Sequence, residues 1–280
     1  MDDAVSILAR HGRSFRLAGR LLPRATLNGA AELYAFCRAV DDLADEHGDP
    51  AAARTSLLEV RAALLAGNAS HPLAAQFLAL QRAAGASLPA AVALVDAVLT
   101  DTGPVRMPDE AALLRYAYGV AGTVGLMMCA VLGADDPRAG PHAIDLGITM
   151  QLTKIARDVM EDAGRNRTYL PAAWLPPGMA PAELGRAPDA AFAAVGRVLA
   201  RADRHYRSAE LGYLYLGPRV RPAIRAAGRL YEEIGLRILR TGPDYLATGR
   251  VVVPPGNWGK TPGTQLQQNK GQSGSVTLPP

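Results

Sequence analysis

The chain has 280 residues, 49% of them apolar and 20% charged, with a formal net charge of +4. The apolar share supports a large core and excludes a disordered chain. Two cysteines, Cys37 and Cys129, are too few for a disulfide framework or a zinc cluster and are read as buried thiols. The basic residues are scattered rather than gathered into one tract, so no nucleic-acid partner is expected.

From the N-terminus, Met1-Asp2-Asp3 is acidic and lacks a basic-then-apolar leader, and no apolar run reaches the roughly 18 residues of a spanning helix. The expected location is cytoplasmic, with peripheral contact to the cytoplasmic membrane face as an option. Helical periodicity then recurs to about residue 240, interrupted by Pro and Gly at positions such as Pro104, Pro137, Pro171 and Gly217-Pro218. Only Arg250-Val251-Val252-Val253 looks briefly β-like. The expectation is an all-α single domain over residues 1–253, with roughly eight or more helices around one core. Residues 254–280 are rich in Gly, Pro, Gln, Ser and Thr, hold no acid, and read as a disordered low-complexity tail.

Two helical stretches carry the chemistry. In the first, Leu33, Phe36, Cys37, Val40 and Ala44 mark a buried face, and Asp41 and Asp45 lie one turn apart at its edge. In the second, Ile148, Leu152, Ile155 and Val159 form the apolar stripe, with Gln151, Asp158 and Asp162 along one flank. Like charges at i and i+4 repel on a bare helix, so each pair calls for a cation. Oxygen ligands without Cys or clustered His suit a hard ion such as Mg²⁺, which keeps waters and accepts phosphate oxygens. An acidic i, i+4 pair is also an ordinary solvated face, and spacing alone leaves both readings open.

Taken together, four segments resemble the phytoene synthase and squalene synthase family. They are His11-Gly12-Arg13-Ser14-Phe15, Tyr34 to Glu46, Tyr116 to Met128, and Gln151 to Asp162 continuing to Pro171. Their order and spacing span about residues 8 to 253, and the central segment looks most like bacterial phytoene synthases. The resemblance implies an isoprenoid synthase fold around a central apolar cavity. It implies that Asp41, Asp45, Asp158 and Asp162 hold Mg²⁺, with Mn²⁺ as an alternative, and that Arg38 and Arg157 act beside the diphosphates. It also implies substrate contacts from His11, Arg13, Ser14, Tyr34, Gly147, Gln151, Tyr231 and Arg250; a substrate contact is expected of Lys154 from its own chemistry, an ammonium that binds phosphate and not Mg²⁺. The pattern departs at Lys154, where the family usually has Asn, and after Val253, where a basic terminal helix usually follows.

The implied reaction is head-to-head condensation of two geranylgeranyl diphosphate molecules, through a cyclopropyl diphosphate, to phytoene and free diphosphate. No nicotinamide cofactor is expected. The alternatives are squalene or dehydrosqualene formation from farnesyl diphosphate, and a catalytically weak prenyl-diphosphate-binding homologue. Arg165, Arg167 and Tyr169 are expected either to clamp a loop or to close over substrate.

Overall fold

The computed structural model describes residues 22–45, 49–248 and 251. The β-like reading of 250–253 and the tail over 254–280 therefore lie outside the described residues, apart from Val251. Helix α1 (Arg24–Asp45) is followed by α2 (Pro50–Leu65), α3 (Pro72–Ala84) and α4 (Leu88–Val98). Next, α5 (Glu110–Ala117), a π turn (Tyr118–Gly122) and α6 (Thr123–Val131) form one continuous run. Helices α7 (Ala139–Arg157) and α8 (Val159–Gly164) carry the second acidic pattern. Then come α9 (Pro188–Gly212), α10 (Arg221–Thr241) and the short α11 (Tyr245–Thr248). Among the described residues the one β feature is an isolated bridge between Arg106 and Thr168.

Local chemistry starts these helices where the sequence punctuates them. Proline occupies the first turn of α2, α3 and α4, where a missing N–H costs nothing. The Asp49 carboxylate accepts from the Ala51 N–H at 2.9 Å, and Asp109 accepts from the Ala112 N–H at 2.8 Å. Each satisfies a donor left over at a helix start.

The interior differs from the single core expected. One core gathers Leu33, Phe36 and Val40 of α1 with Leu57, Leu64, Phe77, Leu94 and Met127. A second gathers Leu152, Ile155 and Ala156 of α7 with Val195 and Val198 of α9 and Ile234 and Ile238 of α10. Helices α1 and α7 each bury one face in a core and turn another toward the cavity described below.

Its width is set by the contact of the π turn and α6 with α7. A Cβ on Gly125 would stand 2.1 Å from the Ala143 carbonyl oxygen, and one on Gly147 would stand 2.1 Å from that of Ala121. Backbone therefore meets backbone, and no side chain fits at either position. The π turn needs a partner for its rearranged carbonyls, and the Thr123 hydroxyl donates to the Gly119 carbonyl at 2.7 Å. The run Glu110–Val131 has 22 residues and a mean hydropathy of 1.3 in its most apolar window. This corrects the expectation that no stretch is long and apolar enough to span a membrane. Here the run is a wall of the bundle, with 44% of that window buried inside it.

Two glycine substitutions are expected to act in opposite directions. Gly125→Ala should cost about 2 kcal/mol or more, because a backbone carbonyl cannot move aside as a side chain can. Gly196 lies inside α9, and a methyl group added there would meet nothing within 4 Å. Gly196→Ala should therefore stabilise the chain by about 0.5–1 kcal/mol. Urea unfolding of the two variants beside the parent chain reads both signs.

Candidate active site

A cavity of about 290 Å³ lies beside the first core and two smaller apolar clusters, one around Leu132, Tyr213 and Leu216 and one around Ala227. Leu27, Ala30, Tyr34, Cys37 and Asp41 line it from α1, at the three- and four-residue spacing of one helix face. Gly147, Gln151 and Lys154 line it from α7 by the same rule. Val124, Gly125 and Met128 come from α6, and Ile224, Ala227 and Tyr231 from α10. Its charged residues, Asp41 and Lys154, fall toward the ends of α1 and α7, and the wall elsewhere is chiefly apolar.

Beside this mouth, charges are held in pairs. The Arg38 Nε donates to Asp42 at 3.0 Å, four residues along α1. Arg157 grips Asp158 with two bonds, Nε to Oδ1 at 2.7 Å and Nη2 to Oδ2 at 2.6 Å. That second pair is deep: the two side chains are 10% and 7% exposed. Burial opposes the charge on Arg157, but its bonds to Asp158 prevail and raise its pKa. Asp162 has no such grip. Burial, reinforced by repulsion from the Asp158 carboxylate, pushes it up to about 7, with Lys154 pulling the other way. The Tyr34 phenol is raised by burial against the opposing pull of Arg38, and its nearby charges include Tyr231 and Asp41.

The structure brings six expected residues into the cavity wall: Asp41, Tyr34, Gly147, Gln151, Lys154 and Tyr231. Arg38, Arg157, Asp158 and Asp162 flank that wall rather than line it. The helix also breaks at Asp158, whose φ of −101° and ψ of 14° separate α7 from α8. Asp41 thus stands in the wall from α1, while Asp158 and Asp162 stand beside it at the end of α7 and in α8. Among the described residues no three His, Cys, Asp or Glu side chains are gathered closely enough to hold a metal ion. Asp158 is committed to Arg157, and mutual repulsion of the carboxylates opposes a tighter cluster. Asp45 ends α1, but its side chain lies outside the described residues, as do His11, Arg13, Ser14 and Arg250.

Sequence reasoning missed the support beneath this site. Asp101, 9% exposed, accepts from the Tyr116 hydroxyl at 2.6 Å and the Tyr169 hydroxyl at 3.1 Å. Those two rings stack at 4.8 Å. The Arg167 guanidinium donates to the Asp101 carbonyl at 2.9 Å. Thr168 N–H donates to Val105 C=O at 3.0 Å and Ala172 N–H to Met107 C=O at 2.7 Å. The segment after α8 is thus stitched to the one before α5, with Arg167 and Tyr169 clamping it. The stretch Val92 to Asp101 carries two acids, Asp96 and Asp101, and spacing did not say that the second is the buried one. His142 also stands in the cavity wall, a position that nothing in the sequence signalled. It stacks on Tyr215 and pairs with Ser208 at 3.0 Å.

Burial raises the Asp101 pKa above its ordinary 3.8, against the lowering effect of its tyrosine bonds. A raised folded-state pKa means stability present at low pH and lost as pH climbs through the folded value. Asp101→Asn removes that titration, so the parent chain should lose stability relative to the variant as pH rises above the usual carboxylate range. Denaturant midpoints of both proteins from pH 4 upward check this, and a pH-independent gap would contradict it.

A helical bundle with an apolar cavity, and aspartates beside its mouth on two facing helices, has the isoprenoid synthase fold. Within it, the chain belongs to the squalene/phytoene synthase family, whose profile matches residues 8–257. It is 35% identical over 257 residues to a phytoene synthase of Pseudescherichia vulneris, covering 86% of this chain and 83% of that one. It is 35% identical over 251 residues to a 15-cis-phytoene synthase of Paracoccus sp. strain N81106, covering 85% and 81%. In structure it is similar to a dehydrosqualene synthase crystallised with a ligand, at a TM-score of 0.71, 25% identity and 85% coverage of each chain.

Proposed function

We propose that this chain is a phytoene synthase, joining two geranylgeranyl diphosphate molecules head to head through a cyclopropyl diphosphate. The observation that carries the reading is the cavity itself: apolar along its length, charged at one end, in a chain whose relatives are named for that reaction. The squalene and dehydrosqualene alternatives share the fold and differ in chain length and reductant.

The donor set fits a divalent cation. All its atoms are carboxylate oxygens, and Asp162 is raised by burial and by the neighbouring Asp158 carboxylate, a repulsion that a cation relieves. Asp41, Asp45, Asp158 and Asp162 would hold Mg²⁺, which supplies charge neutralisation for the departing diphosphate. Arg157 holds Asp158 in place, and Arg38 adds positive charge beside Asp41. His11, Arg13, Ser14 and Arg250 are assigned diphosphate contacts by resemblance. Tyr34 and Tyr231 stand where charge gives way to apolar wall, and Gly147 and Gln151 line the space for the reacting carbons. The apolar lining keeps water from the carbocations that follow loss of diphosphate. Proton loss then ends the sequence, so no reductant is required.

The location follows from the substrate. We assign the chain to the cytoplasm, in peripheral contact with a membrane that stores the prenyl chains. Leu211 and Leu214, exposed at 61% and 70%, flank the cavity-lining Gly212 and Tyr213 and support this reading. Flotation with anionic vesicles should carry the protein upward; a protein left in the lower fraction would contradict the assignment.

The reaction is tested by supplying geranylgeranyl diphosphate and Mg²⁺ without NADPH and analysing the organic extract by mass. A C40 hydrocarbon is expected; a product formed only from farnesyl diphosphate would overturn the substrate. Asp41→Asn, at an exposed position, should lower turnover by about two orders of magnitude with little change in unfolding temperature.

A further inference from the structure

Lys154 is the one Lys or Arg among the described residues that line the cavity. Arg38 and Arg157, and Arg165 nearby, are each bonded to a carboxylate, and Arg167 donates to the Asp101 carbonyl. The Lys154 side chain makes no hydrogen bond or ion pair with the described residues, while its backbone carbonyl accepts from the Asp158 N–H at 2.9 Å. Its charge nevertheless bears on two carboxylates, Asp162 and Asp101, and favours the ionised form of both. It stands one helical turn before Asp158 and one after Gln151, on the face of α7 that continues down the apolar wall. A lysine at such a boundary rests its four-carbon stem on apolar surface and presents its ammonium at the polar edge. An ammonium has three donors and no acceptor, so it cannot ligate a metal ion. What it can bind directly is an anion.

We propose that Lys154 is a metal-independent anchor for the diphosphate group of the substrate. The proposal rests on the prenyl-diphosphate reading of the cavity and adds a role that divalent metal does not supply. Aspartates alone present only negative charge to a diphosphate, so every contact they make must pass through a cation. Lys154 gives the same pocket a fixed positive charge that is present before any metal binds. The diphosphate is then held at the α7 side of the mouth from the first encounter, and the metals complete its neutralisation there.

The test is titration calorimetry with inorganic diphosphate, in EDTA and again in Mg²⁺, on the parent chain, Lys154→Met and Lys154→Arg. Lys154 is exposed, so both variants should keep the parent unfolding temperature, which is checked first. In EDTA the parent should bind, Lys154→Met should bind about tenfold more weakly or worse, and Lys154→Arg should stay close to the parent. In Mg²⁺ all three should bind. Equal affinity of the parent and Lys154→Met in EDTA would overturn the proposal, as would a parent that binds only with Mg²⁺. Both of those outcomes leave the function standing. Absence of diphosphate binding even in Mg²⁺ would overturn the diphosphate reading of the cavity, and the anchor with it.

Discussion

Carboxylates beside an apolar wall are costly, and the structure around the cavity mouth is organised by that cost. An ionised group taken out of water must be paired, hydrogen-bonded or neutralised. Asp158 is paired, with both oxygens on Arg157. Asp101 is hydrogen-bonded by two tyrosines. Asp162 has neither provision, and its pKa rises to about 7. The mouth is therefore a place where negative charge is held in tension and an added cation is favoured. That is the property a diphosphate-handling site needs, because the same cation serves the carboxylates and the leaving group.

Shape comes from a second constraint, the approach of α6 and the π turn to α7. Without side chains at Gly125 and Gly147, the two backbones pass at van der Waals distance, and their flanking residues are turned into the cavity. Helix α7 thus serves three ends at once. One face packs on α9 and α10 in the second core, another forms the cavity wall, and its C-terminal end carries Lys154, Arg157 and Asp158. The clamp from Asp101 to Tyr169 then holds the segment that follows α8, so the end bearing Asp158 and Asp162 is fixed from both sides.

Much of this was legible in the sequence because it follows from helical periodicity. The stripes Leu33, Phe36, Val40 and Leu152, Ile155 are core, and Asp41, Gln151 and Lys154 stand at their edges as the 100° step requires. The close approach at Gly125 and Gly147 was not legible, because spacing does not say which atoms a glycine meets across a helix pair. The break at Asp158 was hidden, because nothing in Ala156-Arg157-Asp158-Val159 is a helix breaker. It accompanies the grip of Arg157 on its neighbour, a local contact that helical periodicity does not report. Asp101 was missed for a related reason: its partners, Tyr116 and Tyr169, lie 15 and 68 residues away. The division into two cores was equally nonlocal, since periodicity reports that a face is apolar and not whether it meets a partner or a cavity.

A crystal structure with Mg²⁺ and a non-hydrolysable thiodiphosphate analogue of geranylgeranyl diphosphate would show at once whether this cavity takes the substrate. The diphosphate is expected at the end of the cavity bearing Asp41 and Lys154, with the prenyl chain lying along Val124, Gly125 and Met128. A diphosphate bound elsewhere, or a prenyl chain that leaves this cavity empty, would contradict both the charge assignment at the mouth and the role given to the apolar wall.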